Sequence, residues 1–479
     1  MPPSLALLIW FVLLLGLLYF DPAKDSNSSW ALWVPVIWIF IVGSRLPSQW
    51  FEIPARMGVD TLEEGNPLDR TILSVLIALA IVILISRSFK WGDFFARNFA
   101  LTAFLSFALV SVFWSDFLPV SSKRWFRDLG NYLVILVVLS DARPVEAIRT
   151  LLRRLSYLLI PLSILIIKYY PETGKRYDVW TGASTYTGPT TSKNMLGALC
   201  LVSGIFFIWD TVTRWSDRKE RHTKSIIMVN IVFMAMTLWL LDLANSATSR
   251  VCLMIGCLVI LAAHSGTFRR HPSFLKVLIP VCFCTYLILA FGFDINGDLA
   301  GAVGRNPTLT GRTVIWNIVL NMHTNPLVGT GYESFWMGPR LQEVWRTMPG
   351  INESHNGYLE VYLNLGLFGV FLIVGLLIAA YRNICRRLTP FSSIASLNLA
   401  FWTLMLFYNM TEAAFRGGLI WVTFLLGAIA VSEPAEDPVR GLNSQCGRYE
   451  QHAADFPENG GSAAVVSYTF EKSRWDTQT

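Results

Sequence analysis

Hydrophobic residues fall into thirteen runs, at about 4–20, 30–47, 71–87, 94–114, 126–140, 151–169, 193–209, 225–244, 249–263, 275–293, 358–380, 394–411 and 417–432. An α-helix rises 1.5 Å per residue, so ~20 apolar residues cross the hydrocarbon core of a bilayer. The pattern therefore predicts an all-α polytopic membrane protein with about 12–13 transmembrane helices. Runs 126–140 and 249–263 are short and read as tilted or re-entrant. Run 4–20 has no basic segment before it and no A-x-A site after it, so it reads as a span rather than a signal peptide.

The polar connections give the orientation. Arg214, Arg218, Lys219, Arg221 and Lys224 follow the seventh run, Arg269, Arg270 and Lys276 the ninth, and Arg382, Arg386 and Arg387 the eleventh. Lys and Arg concentrate in cytoplasmic connections, so the alternate connections are expected outside. That gathers Asp242–Arg250, the long segment 294–357 and Thr411–Gly417 on the extracytoplasmic side. Residues 1–432 then form one membrane domain with an extracytoplasmic loop at 294–357. Residues 433–479 carry eight acidic and four basic residues with Gly, Ser and Asn, and read as a disordered cytoplasmic tail.

Composition excludes the alternatives. The chain is 53% hydrophobic and 15% charged, against about 25% charged in soluble domains. A soluble enzyme, a disordered chain and a single-anchor protein are ruled out. The formal charge of +6 follows from the basic cytoplasmic connections and calls for no nucleic-acid partner. The seven cysteines sit in apolar runs, beside a basic loop (Cys385) or in the tail (Cys446), without metal-ligand or disulfide spacing.

The segment 294–357 holds the candidate chemistry. A histidine in such a connection is more often a solvated surface residue. His355, however, follows Ser354, a plausible N-cap, which places the imidazole in the first turn of a helix at the membrane surface. The positive helix end and nearby arginines are expected to keep it neutral, the form a general base needs. Asn356, Glu360 and Asn364 follow at i, i+4 and i+8 as a polar stripe. Gly366 and Gly369 have the spacing that lets another helix approach. Arg250 and Arg312 are guanidinium candidates for a phosphate group. Lys193 and Asn194 open the seventh span, and Glu412 closes the twelfth, at the same face. Lys193, Asn194, Asn356, Glu360 and Glu412 complete the set as supporting residues. Trp316, Trp336 and Trp345 are available to stack on sugar faces. No DxD pair, HExxH or P-loop is present, so a metal-independent mechanism is the default.

This combination resembles the O-antigen ligase and polysaccharide polymerase (Wzy-like) superfamily, most closely its ExoQ-type branch. His355-Asn356, nine residues, then Gly366-Leu367-Phe368-Gly369 fits the ligases' H[NSQ]-x9-G-x-x-G pattern. Ser249-Arg250, Gly311-Arg312 with Trp316, and Pro326-Leu327-Val328-Gly329-Thr330-Gly331 resemble further blocks, as do Lys193-Asn194 with Gly197 and Asn409-Met410-Thr411-Glu412. The chain departs from the pattern at Glu333, where a small residue is expected. The resemblance implies an inverting glycosyltransferase of the bacterial inner membrane, its catalytic loop facing the periplasm. It would move a glycan from an undecaprenyl-pyrophosphate donor to an acceptor sugar hydroxyl, polymerising repeat units, with no cofactor or metal. It implies His355 as the base, Arg250 and Arg312 as the pyrophosphate clamp, and flippase and chain-length regulator proteins as partners. A ligase acting on lipid A-core shares the mechanism. A bicarbonate-like solute transporter is the alternative from another class. The polar residues gather at one face rather than along a path, which favours surface chemistry.

Overall fold

The computed structural model describes residues 1–21, 29–51, 65–177, 182, 184–292, 311–388 and 392–431. The tail 433–479 and the start of the long connection, 294–310, lie outside the described residues.

Each apolar run lies on a helix. The helices are α1 (Pro3–Phe20), α2 (Trp33–Val42), α3 (Pro67–Ser86), α4 (Trp91–Arg97), α5 (Phe99–Ser111), α6 (Leu118–Leu139), α7 (Pro144–Tyr169), α8 (Lys193–Arg214), α9 (Arg221–Ala244) and α10 (Ala247–His264). They continue as α11 (Pro272–Gly292), α12 (Arg312–Leu320), α13 (Gly338–Thr347), α14 (Gly357–Arg387), α15 (Ser393–Tyr408) and α16 (Leu419–Ala428). Among the described residues, eight helices are long and apolar enough to cross a bilayer, and α4 with α5, bent by 95°, forms either a broken ninth span or a re-entrant loop. Three shorter apolar helices contain α2, α15 and α16. The run 126–140 is the apolar end of α6, whose first turns carry Lys123, Arg124 and Arg127. The run 249–263 is extended by its cap: Ser246 accepts from Ser249 N–H, giving an 18-residue helix that passes as a span.

Hydropathy alone does not say which helices are central. The residues of α1 and α16 are both apolar all round, yet α16 is buried throughout and α1 is mostly exposed. A uniformly apolar helix suits either a protein core or lipid. Position comes from polar groups that need partners. On α8, Asp210 is buried and is met by Arg153 of α7, Arg214 and Asn230 of α9, which fixes these helices together. A buried charge persists only when paired. A two-stranded antiparallel hairpin, β1 (Lys175–Tyr177) with β2 (Ser184–Tyr186), precedes α8.

One joint positions the functional end of the bundle. The backbone of α14 leaves helical geometry at Gly366, at φ 63° and ψ −165°. The turn around 325–331 supplies the partners that this break removes. Leu367 and Phe368 N–H donate to Pro326 and Leu327 carbonyls at 2.9 and 3.1 Å. Thr330 and Gly331 N–H donate to Leu363 and Asn364 carbonyls at 3.2 and 2.9 Å. A Cβ at Gly366 would lie 2.2 Å from the Leu327 carbonyl carbon, and one at Gly329 would lie 2.4 Å from that of Asn364. The expectation that Gly366 and Gly369 admit another helix is thereby corrected: loop backbone approaches Gly366, and a Cβ at Gly369 would meet Leu365 of its own helix. Gly366→Ala is expected to lose about 3 kcal/mol of stability through strain and this clash. Gly375→Ala, with nothing within 4 Å, should be neutral or stabilising. Thermal midpoints in nanodiscs compare the two.

Candidate active site

Asn356, not Ser354, caps α14: its side chain accepts from Leu359 N–H at 3.1 Å. His355 therefore stands before the helix rather than in its first turn. It adopts φ 51°, and Glu333 adopts φ 52°. A side chain at positive φ is strained, and such residues cluster at functional sites. Glu333 thus occupies a position where Gly would be relaxed, which is the physical sense of the small residue expected there.

The stripe on α14 holds the loops that carry His355. Glu360 accepts from Trp336 Nε1 at 2.6 Å, and from the backbone N–H and hydroxyl of Ser354 at 3.0 and 2.9 Å. Asn364 Oδ1 accepts from Phe335 N–H at 3.1 Å. Trp316 and Trp345 donate their indole N–H to the Ser354 and Ile351 carbonyls. The three tryptophans serve the loop's own core.

Charges meet at His355. Its Nδ1 lies 3.0 Å from Glu353 Oε1 and 3.4 Å from Glu412 Oε2. The other oxygen of Glu412 receives Arg312 at 2.7 Å and Asn194 Nδ2 at 2.9 Å. The other oxygen of Glu353 receives Arg416 at 2.8 Å, and Arg416 also faces Glu333 and Glu360 at 3.6 and 3.7 Å. Burial works against the imidazolium, but the contacts with Glu353 and Glu412 override it and raise the His355 pKa to about 10. Burial likewise works against the Glu353 carboxylate, and His355 and Arg416 hold it down at about 2. The expected neutral histidine is thus corrected. Two carboxylates, one of them only two residues upstream, outweigh the helix end and the arginines.

The pH dependence follows. As a general base, His355 would be competent only once deprotonated, and kcat/KM for transfer would then rise from pH 7 toward pH 10. Glu353→Gln removes one carboxylate from Nδ1, so the rise should begin at lower pH and reach a lower plateau. A pH–rate series on both proteins checks this.

Of the sequence candidates, His355, Arg312, Glu412 and Asn194 come together directly, and Asn356 and Glu360 frame them. Arg250 does not join them: it pairs with Asp242 at 3.0 Å, both exposed. Lys193 is the first residue of α8, one position before Asn194. Glu353, Arg416 and Glu333 are additions. Arg416 had one signal, its place four residues after Glu412 in the connection already picked out. The ligand atoms of Glu353, His355 and Glu412 lie within 4.8 Å of one another, close enough to share a cation.

Residues 189–374 match the Wzy_C family, O-antigen ligase. The chain is also 25% identical over 312 residues to the exopolysaccharide production protein ExoQ of Rhizobium meliloti (strain 1021), covering 61% of this chain and 67% of that protein. The chain resembles the Wzy-like superfamily and, within it, the ExoQ type. It is a multi-pass membrane protein whose similarity is to proteins of the glycan ligase and polymerase type. The matched segment contains Arg250, Arg312, Glu353 and His355, whereas Glu412 and Arg416 fall beyond it.

Proposed function

We propose that the chain is a glycosyltransferase of exopolysaccharide or O-antigen synthesis. It moves a glycan from an undecaprenyl-pyrophosphate donor to an acceptor sugar hydroxyl, and thereby polymerises repeat units at the periplasmic face of the inner membrane. The observation that carries this reading is the seating of His355 Nδ1 between Glu353 and Glu412, with Arg312 on the far oxygen of Glu412. With Nδ1 facing the two carboxylates, Nε2 is the nitrogen that takes the hydroxyl proton. The two carboxylates stabilise the imidazolium formed. Arg312 presents a planar fork that matches two phosphate oxygens and neutralises the leaving group's developing charge. Arg250, held only in an exposed pair with Asp242, is free to turn to the same group. Attack in line with the departing pyrophosphate inverts the anomeric centre. His355, Arg312 and Arg416 supply the positive charge that the carboxylates need, so the mechanism calls for no metal. Flippase and chain-length regulator proteins would supply the donor and set polymer length.

The test is glycan transfer by purified protein in proteoliposomes with an undecaprenyl-pyrophosphate oligosaccharide. Lengthened glycan should appear together with free undecaprenyl pyrophosphate, in the presence of EDTA. Arg312→Lys keeps the charge and loses the fork, which is expected to lower kcat/KM about 30-fold, about 2 kcal/mol of charge-assisted hydrogen bonding. Full activity in that variant removes Arg312 from the clamp. Transfer abolished by EDTA and restored by a divalent cation would assign the Glu353–His355–Glu412 cluster to a metal instead.

A further inference from the structure

The pair between Arg312 and Glu412 sets a condition on donor binding. Arg312 Nη2 donates to Glu412 Oε1 at 2.7 Å, and both side chains are largely buried. A pyrophosphate that takes the guanidinium fork therefore competes with a carboxylate already seated on it. A buried carboxylate left without a partner is costly. Glu412 needs a second donor when Arg312 turns to phosphate.

That donor is in place. Asn194 Nδ2 reaches the same oxygen, Glu412 Oε1, at 2.9 Å. The two donors differ in how firmly they are held. Asn194 is short and stands in the first turn of α8, where Ser192 Oγ caps the helix by accepting from Met195 N–H at 3.2 Å. Arg312 opens α12 after Gly311, whose N-cap position has no side-chain hydrogen bond. Its long side chain has far more rotamer freedom than that of asparagine. Glu412 is fixed as well. Its N–H donates to the Tyr408 carbonyl at 3.0 Å, and Gly357 N–H donates to the Asn409 carbonyl at 2.8 Å, which ties this connection to the start of α14 beside His355. Thr411 meets Thr248 of α10 at 2.8 Å. From this anchored position Oε2 faces His355 Nδ1 at 3.4 Å.

We propose that Asn194 and Glu412 form a positioning pair: the donor draws Arg312 off Glu412 and onto the pyrophosphate, and Asn194 keeps the released carboxylate on His355. The inference rests on the donor binding proposed above. Arg312 is the movable member of the set, and the base keeps its orientation while the clamp closes. Neither Asn194 nor Glu412 touches substrate; each acts through the group it holds.

The experiment measures binding of undecaprenyl pyrophosphate to the full chain in nanodiscs, beside transfer kinetics in proteoliposomes. Glu412→Gln removes the competing charge and should tighten binding about tenfold, the scale of one hydrogen bond to a charged group. Its kcat should fall about tenfold, because Nδ1 loses one of its carboxylates. A glutamate that only stabilised the fold would weaken both. Asn194→Ala should weaken binding about tenfold, since Glu412 then holds Arg312 against the phosphate, and the effect should shrink below about twofold in the Glu412→Gln background. If Glu412→Gln does not fold, Asn194→Ala carries the test alone. Binding that weakens in Glu412→Gln, or stays unchanged in Asn194→Ala, overturns the pair. Wild-type protein that binds no undecaprenyl pyrophosphate would instead overturn the donor reading beneath it.

Discussion

His355→Ala is expected to lower kcat for glycan transfer about 10³-fold, within the range of positioned general bases, while leaving the donor KM nearly unchanged. In the proposed mechanism the arginines bind the pyrophosphate, so this variant loses the proton acceptor alone. The variant also brings Glu353 and Glu412 together without the cation between them, so stability must be read separately. The folded-state pKa of His355, about 10, lies above its ordinary 6.5. Its stabilising contribution is therefore complete below pH 6.5 and is lost as pH rises through about 10. The thermal deficit of the Ala variant should accordingly shrink toward pH 10, while the catalytic deficit should grow as the wild-type base deprotonates. A merely structural histidine would give two curves that fall together. Retention of kcat within threefold of wild type rules out the general-base role.

The helices were legible because lipid imposes one rule, and each run of apolar residues obeys it. Their layering was not, since α1 and α16 carry the same kind of sequence and sit at the rim and the centre. His355 and Arg312 were legible as residue types at recognisable spacings. Their chemical state was not. Glu412 lies 57 residues from His355, and only the fold shows that it shares Nδ1 with Glu353. Arg250 shows the opposite case: the sequence places it at the right end of a helix, but only the fold shows that it stands apart from the charge cluster, in an exposed pair with Asp242. The glycines were read as a helix-packing signal because i, i+3 spacing suggests one. In the structure Gly366 and Gly329 are two halves of a backbone joint, a relation that no single-segment pattern contains.

Arg416→Ala is expected to be the most destabilising of the substitutions at the site, by about 3 kcal/mol, because it leaves Glu333, Glu353 and Glu360 facing one another without their common cation. The pH dependence identifies the cause. Arg416 and His355 hold the Glu353 carboxyl at about 2, below its ordinary 4.5. A depressed carboxylate contributes stability that is present above its ordinary pKa and lost as pH falls through the folded-state value. The gap in thermal midpoint between wild type and Arg416→Ala should therefore be full at pH 7 and close as pH falls from about 4.5 toward 2. Arg416→Lys keeps a charge but cannot serve three carboxylates at once, so its midpoint should fall between the two. Activity should follow the same order, because Glu353 loses the partner that fixes it against His355. A gap that is unchanged down to pH 2 would mean that Arg416 stabilises by packing alone and not through the Glu353 carboxylate.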